Sequence, residues 1–195
     1  MKNAFYGAIM RMKYITRWAL MRNTRSENIC EHSYDVAVLA HALALLENTR
    51  FGGNTNVNIC VQMALYHDLP EILTGDMPTP VKYRNAALRD VYKQVENKAT
   101  HTLLHLLPDD LRPHYEKLIL TDDNYATEKR LVKAADKLSA LIKCEEELAQ
   151  GNKEFASAKL ATEKALRDMQ IKAVDCFLEE FLPPCRMTLD EQQAP

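Results

Sequence analysis

His67 and Asp68 adjoin in the chain, with His32 far upstream and Asp136 far downstream. Two imidazoles and two carboxylates offer only nitrogen and oxygen donors, a set suited to a divalent ion that keeps positions open for water and a phosphate oxygen. Such an ion supports hydrolysis. Taken singly, a histidine or aspartate is more often a surface or capping residue, and context is what favours the metal reading. Asp68 ends the largely apolar run 61–66, Asp136 follows Leu131, Val132, Ala134 and Ala135, and His32 sits one turn before Val36 and Ala40. A carboxylate on an apolar helix face needs a partner, because burying an isolated charge is costly. One ion would serve all four side chains. Neighbouring helical residues point about 100° apart, so His67 and Asp68 can share an ion only if other helices bring His32 and Asp136 to it.

The helices that must do this are legible as periodic segments. Five glycines, few alternating β-branched runs and abundant Ala, Leu, Glu and Lys point to an all-α fold. A first helix is expected over 5–20, on the spacing of Ile9, Met12, Ile15 and Ala19. Thr24 with Glu27 reads as a capping box that opens a second helix running through His32 to residue 47. Gly52 and Gly53 break the chain, and a third helix over 57–73 carries His67, Asp68 and Glu71 and stops at Gly75. In the loop that follows, Pro78 and Pro80 restrict Met77 and Thr79 to extended backbone, which makes it a rigid edge for the mouth of a metal site. Further helices are expected over 86–107, 110–120, 127–150 and 153–182, with a loose polar tail containing Asp190, Glu191 and Gln193. Glu145, Glu146 and Glu147 read as a solvated helix face. His101 and His105, four apart, form a second and weaker candidate metal pair.

With 195 residues, 47% of them hydrophobic, the chain can bury one sizeable core, and residues 1–195 read as a single domain. A net charge of −2 gives no general attraction to nucleic acid or to an anionic membrane, so phosphate binding must come from a local basic cluster. Arg17, Arg22 and Arg25, around the only tryptophan, Trp18, are that cluster. The five cysteines are odd in number and widely spaced, and they read as reduced thiols of a cytoplasmic protein. The apolar stretch 4–10 is too short and lacks a cleavage site, which argues against a secretory signal. No segment reaches the ~20 apolar residues that span a bilayer.

Ordered along the chain, His32, His67, Asp68 and Asp136 match the H…HD…D pattern of the HD-domain metal-dependent phosphohydrolases, whose fold is a helical bundle around a metal site. Arg17-Trp18, Leu20 to Asn23, Glu27-Asn28, Glu31 to Ser33, Tyr66 to Asp68, Glu71, Leu73 to Asp76 and Pro78 to Tyr83 extend the match. Across nearly the whole chain the sequence resembles the bacterial 5′-deoxynucleotidases of the YfbR type. Leu69-Pro70 departs from the pattern: small or polar residues are expected after the dyad, and Pro70 should kink the helix that carries Glu71.

The resemblance implies hydrolysis of deoxyribonucleoside 5′-monophosphates to deoxyribonucleosides and phosphate, by a homodimer tolerant of several bases. It implies a divalent metal (cobalt, manganese, zinc, magnesium or copper) held by His32, His67, Asp68 and Asp136. Arg17 becomes the phosphate clamp, since its planar fork matches two phosphate oxygens. Glu71, three residues after Asp68, is a general acid or base, with Asp76 beside it. Asp76, Met77, Pro78 and Thr79 line the substrate site with His32, Asp68 and Asp136, and Trp18 fills the space a 2′-hydroxyl would need. Two other readings compete. An HD-type hydrolase of nucleoside triphosphates or of cyclic and signalling nucleotides would share the ligands but need more positive charge. A non-catalytic metal-binding helical sensor would have no use for Arg17 or Glu71.

Overall fold

The computed structural model describes residues 3–82, 84–120 and 123–193. Tyr83, the last residue of the Pro78-to-Tyr83 motif, lies outside them. Helices dominate: α1 (Phe5–Ile9), α2 (Ile29–Arg50), α3 (Val57–Leu65), α4 (Glu71–Thr74), α5 (Thr79–Lys82), α6 (Ala86–Leu104), α7 (Arg112–Ile119), α8 (Ala126–Ala149), α9 (Ala156–Asp168), α10 (Lys172–Glu180) and α11 (Leu189–Gln193). Among the described residues the β-like pairing is one isolated antiparallel bridge between Thr16 and Asn28.

Two long helices form the frame. α2 packs on α3, α8 and α10, and α8 packs on α9. Ala37, Ala40 and Ala44 on α2 and Ala134 and Ala135 on α8 are small and buried, so the backbones approach closely around Leu43, Leu138 and Leu141. α2 has an 18-residue window of mean hydropathy 1.2, enough by length and composition for a membrane span, contrary to the expectation from sequence; 56% of that window is buried inside the bundle. A second, smaller apolar cluster joins Phe5 of α1, Leu69, and Leu103, Leu104 and Leu107 at the end of α6.

Several element boundaries depart from the sequence expectation. The first helix ends at Ile9 rather than residue 20. A single 3-10 turn, Met12–Tyr14, follows, and residues 15–17 then run beside 27–29, with Arg17 N–H donating to the Glu27 carbonyl and Ile29 N–H to the Ile15 carbonyl. The capping box of α2 is Asn28 with Glu31, not Thr24 with Glu27. Thr24 and Glu27 are engaged elsewhere, which frees a better-placed Asn to satisfy the first-turn N–H groups. The third expected helix stops at Leu65, and Pro70 does not kink it but stands at the N-cap of the separate short helix α4. Proline suits such a start, where its missing N–H would have no helical partner. Thr79 opens the helical turn α5 instead of lying extended, with Val81 and Lys82 N–H groups donating to the Pro78 carbonyl. Residues 153–182 divide into a 3-10 turn, α9 and α10, where Gln170 takes a left-handed φ of 50°. The polar tail turns as α11.

The acidic triplet is the largest correction. Glu147 is fully buried and Glu145 nearly so, while Glu146 is exposed. The Glu147 carboxylate accepts from Thr24 N–H (2.9 Å), Thr24 Oγ1 (2.8 Å), Arg25 N–H (3.3 Å), Asn152 Nδ2 (2.8 Å) and Lys143 Nζ. Burial pushes its pKa up, but these donors more than reverse that and bring it to about 2. The effect is structural: the C-terminal end of α8 is tied to the loop that leads into α2.

Candidate active site

His32 occupies the first turns of α2 and is wholly buried. His67 and Asp68 lie in the tight turn between α3 and α4, where the helix has ended but the chain keeps curling through i→i+3 hydrogen bonds. Leu69 is fully buried in the smaller apolar cluster and fixes that turn from behind. Burying a leucine contributes about 2 kcal/mol, so the turn is anchored by packing on one side and free to present polar groups on the other. Asp136 comes from the middle of α8.

These elements bring three of the four candidate ligands together. Among the described residues, donor atoms of His32, His67 and Asp68 all lie within 4.8 Å of one another. The two Nε2 atoms are 3.3 Å apart, and Asp68 Oδ2 stands 3.6 Å from His32 Nε2 and 3.2 Å from His67 Nε2. Asp136 stands at one side of this trio, its Oδ1 3.1 Å from His32 Nε2. His101 and His105 do not make a second site: both are exposed, and His105 Nδ1 is satisfied by the His101 carbonyl.

The hydrogen bonds behind the rings show that a cation fits. His67 Nδ1 faces the Ala64 carbonyl at 2.6 Å, so in the neutral ring that nitrogen carries the proton and Nε2 is a bare lone pair. His32 Nδ1 faces Ser139 Oγ at 3.1 Å and the Glu27 carboxylate at 3.6 Å, which selects the same tautomer. Two imidazole lone pairs and the Asp68 carboxylate then converge, with the Asp136 carboxylate at the side of His32, an acceptor set for which a divalent ion is a suitable complement. In the metal-free protein a proton on His67 takes that place. Burial pulls the His67 pKa down, but the adjacent carboxylate of Asp68 overrides it and raises it to about 9; the same pairing holds Asp68 well below the usual carboxylate range.

Beside this group lie the residues expected to act on substrate. Glu71 opens α4, is buried, and leaves Oε2 without a hydrogen-bond partner. Burial, with Asp68 and Asp76 adding like charge, raises its pKa strongly. Gly75, with φ of 71°, makes the turn that only glycine adopts freely and sends Asp76 back toward Trp18. Asp76 Oδ2 accepts from the Trp18 backbone N–H at 3.3 Å, and burial raises its pKa too. Met77, Pro78 and Thr79 continue from Asp76 into α5. Among the described residues no hydrogen bond or ion pair links them to the ligand cluster.

The expected basic cluster is split. Arg22 pairs with Glu154 on the surface, and Arg25 is held by its backbone at Glu147. Only Arg17 is turned inward, with 13% of its side chain exposed, toward Glu27 and the charges of Asp68, Asp136 and Asp76. Trp18 is held at many points. Its Nε1 donates to Glu27 Oε2 at 2.8 Å, its ring packs on Phe155 with centroids 5.3 Å apart, and Asn23 Nδ2 donates to its carbonyl. These contacts sustain a left-handed φ of 60°, which is strained for a bulky side chain.

A profile of the 5′-deoxynucleotidase YfbR-like family matches residues 4–185. The chain belongs to the YfbR-like family. A 5′-deoxynucleotidase of Erwinia tasmaniensis is 48% identical over 187 residues, 96% of this chain and 94% of the relative. The 5′-deoxynucleotidase YfbR of Shigella flexneri serotype 5b is 46% identical over the same shares. YfbR-like chains share their fold with HD-domain phosphohydrolases. The Listeria innocua example superposes with a TM-score of 0.81 at 24% identity, covering 97% of this chain and 92% of its own. The cyanophage S-2L enzyme DatZ, solved with dA and one catalytic Zn2+ ion, gives 0.65 at 19% identity, covering 93% and 96%.

Three participants were not anticipated from the sequence of this YfbR-like protein. Ser139 follows Asp136 by three residues on α8, a spacing that places both on one helix face and would have revealed it. Glu27 was read as a cap, and Phe155 lies so far along the chain that only the fold brings it under Trp18.

Proposed function

We propose that this chain is a metal-dependent 5′-deoxynucleotidase, hydrolysing deoxyribonucleoside 5′-monophosphates to deoxyribonucleosides and phosphate. The observation that carries the reading is the convergence of His32, His67 and Asp68, with Asp136 in contact with His32, beside one inward-turned arginine and one buried, unpartnered carboxyl, in a member of this family. His32, His67, Asp68 and Asp136 would hold a divalent ion. When bound, that ion supplies positive charge for phosphate oxygens and activates water at neutral pH. The zinc in DatZ supports a divalent metal in this fold.

The rest is done by this chain's own residues. Arg17, already buried and aligned by Glu27, offers its fork to the phosphate, and Glu27 keeps it from folding onto the ligand carboxylates. Glu71, buried with Oε2 unpartnered three residues from Asp68, is placed to exchange a proton at the reacting oxygens as general acid or base. Asp76 and Trp18, joined by their hydrogen bond, border the sugar, with Met77, Pro78 and Thr79 on the outer edge. A monophosphate suits a site with a single inward guanidinium better than a triphosphate does. Residues 1–195 act as one domain on this reading, and the free thiols of Cys30, Cys60, Cys144, Cys176 and Cys185 support a cytoplasmic setting. The family resemblance supports a homodimer, which sedimentation would test. The deciding experiment is phosphate release from a panel of deoxy- and ribonucleotides, with and without added divalent metals. Preferential, metal-dependent turnover of the deoxy monophosphates is expected. Turnover confined to triphosphates or cyclic nucleotides would overturn the proposal.

A further inference from the structure

Glu27 belongs to neither apolar cluster and is outside the four-ligand set, yet its side chain is 11% exposed and occupied on both oxygens. Oε1 accepts from Arg17 NH1 at 3.0 Å, and Oε2 accepts from Trp18 Nε1 at 2.8 Å. Arg17 and Trp18 are adjacent, and in an extended chain neighbouring side chains point to opposite faces. The left-handed backbone at Trp18 breaks that alternation and swings the indole to the same carboxylate that holds the guanidinium. The backbone pairing of 15–17 with 27–29 sets the base of this bracket, because Arg17 N–H donates to the carbonyl of Glu27 itself.

We infer that Glu27 is the positioning residue for sugar selection, one rigid carboxylate that fixes the spacing between the phosphate arm and the aromatic wall. The inference rests on the reading of Arg17 and Trp18 given above. A carboxylate is planar and purely an acceptor, so it can take an N–H on each oxygen. With the phosphate held by Arg17, the distance from guanidinium to indole determines how close the sugar's 2′ position comes to the ring. Loosening the bracket lets the wall retreat from a 2′-hydroxyl while the phosphate contact survives. A glutamine cannot replace it, since its amide would turn an N–H toward either the guanidinium or the indole. An aspartate keeps the charge but is one methylene short of reaching both.

Trp18 is the only tryptophan, so one indole N–H cross-peak in a nitrogen–proton correlation spectrum reports this bond without metal or substrate. In the metal-free protein, Glu27→Gln is expected to move that cross-peak upfield, as loss of a carboxylate acceptor requires. Titrating the metal-loaded protein in a Glu71→Ala background, where turnover is slow, with a deoxynucleoside monophosphate and its ribonucleotide, the ratio of their affinities should narrow by about tenfold, the scale of one charge-assisted hydrogen bond. Glu27→Asp should shift both readouts in the same direction, and it serves if the glutamine variant does not fold. A purely structural Glu27 would weaken both nucleotides alike. An unmoved indole peak, an unchanged ratio in Glu27→Gln, or full wild-type behaviour in Glu27→Asp would overturn the inference. A wild-type protein indifferent to the sugar would instead sink the underlying reading of Trp18, and this inference with it.

Discussion

Replacing Glu147 by alanine removes the acceptor that binds the Thr24–Arg25 backbone to α8, and it strands Lys143. The lysine side chain is 7% exposed and Glu147 is 0% exposed, so the remaining ammonium stays buried with the Arg25 carbonyl as its hydrogen-bond acceptor. Breaking one half of a buried ion pair costs about 3–5 kcal/mol. The N–H groups of Thr24 and Arg25 are near solvent and can turn to water, adding little, so we take about 4 kcal/mol. That is a large share of the 5–15 kcal/mol on the order of which domains are stable. With an m-value of about 2 kcal/mol/M, the urea midpoint should fall by about 2 M at constant slope. The pH dependence gives a second reading. The Glu147 pKa drops from 4.5 in the unfolded chain to about 2 on folding, so its contribution is complete above pH 4.5 and disappears as pH falls toward 2. By linkage this amounts to about 3 kcal/mol. Urea midpoints of wild type and Glu147→Gln should therefore converge as the pH is lowered through that window. A midpoint shift in Glu147→Ala below about 0.5 M, or curves that stay parallel in acid, would refute the reasoning.

His67→Ala and Asp68→Ala should each abolish both bound metal, by elemental analysis, and turnover; full occupancy in either would void the ligand assignment. Glu71→Ala should keep the metal but slow turnover by about a hundredfold or more. Near-normal kcat would remove Glu71 from the mechanism. Trp18→Ala should narrow the ratio of kcat/KM between a deoxynucleotide and its ribonucleotide, while Arg17→Ala lowers both with little change in ratio, because it touches the group they share. The opposite pattern would reverse the two roles.

Local signals in the sequence carried the fold class and picked out the candidate ligands. The all-α class follows from composition, and His32, His67, Asp68 and Asp136 stood out because each interrupts an apolar helical stretch. Boundaries failed where distant contacts override local preference. Residues 10–20 have helical spacing, but Arg17 and Trp18 are captured by Glu27 and Asp76, and the helix gives way to a paired extended segment. Pro70 was legible as a disruption, though whether it kinks or restarts a helix depends on Leu69 finding the second apolar cluster. Glu147 was misread because a run of three glutamates looks solvated; the return of the 21–26 loop joins Lys143 and Asn152 in supplying the donors that bury it. The basic cluster failed for the same reason, since Arg22 and Arg25 are drawn off by partners more than a hundred residues away.

The left-handed backbone at Trp18 has a consequence for how such an enzyme can evolve. Glycine is the residue that adopts a φ of 60° most freely, and a bulky side chain held there carries strain on the order of 1–3 kcal/mol. Replacing Trp18 by glycine would relieve that strain but forfeit the indole's hydrogen bond to Glu27 and its packing on Phe155, and, on the proposed reading, the barrier against ribose. Strain kept at a bulky side chain marks a position held for its geometry, and on the proposed reading that geometry serves discrimination between sugars.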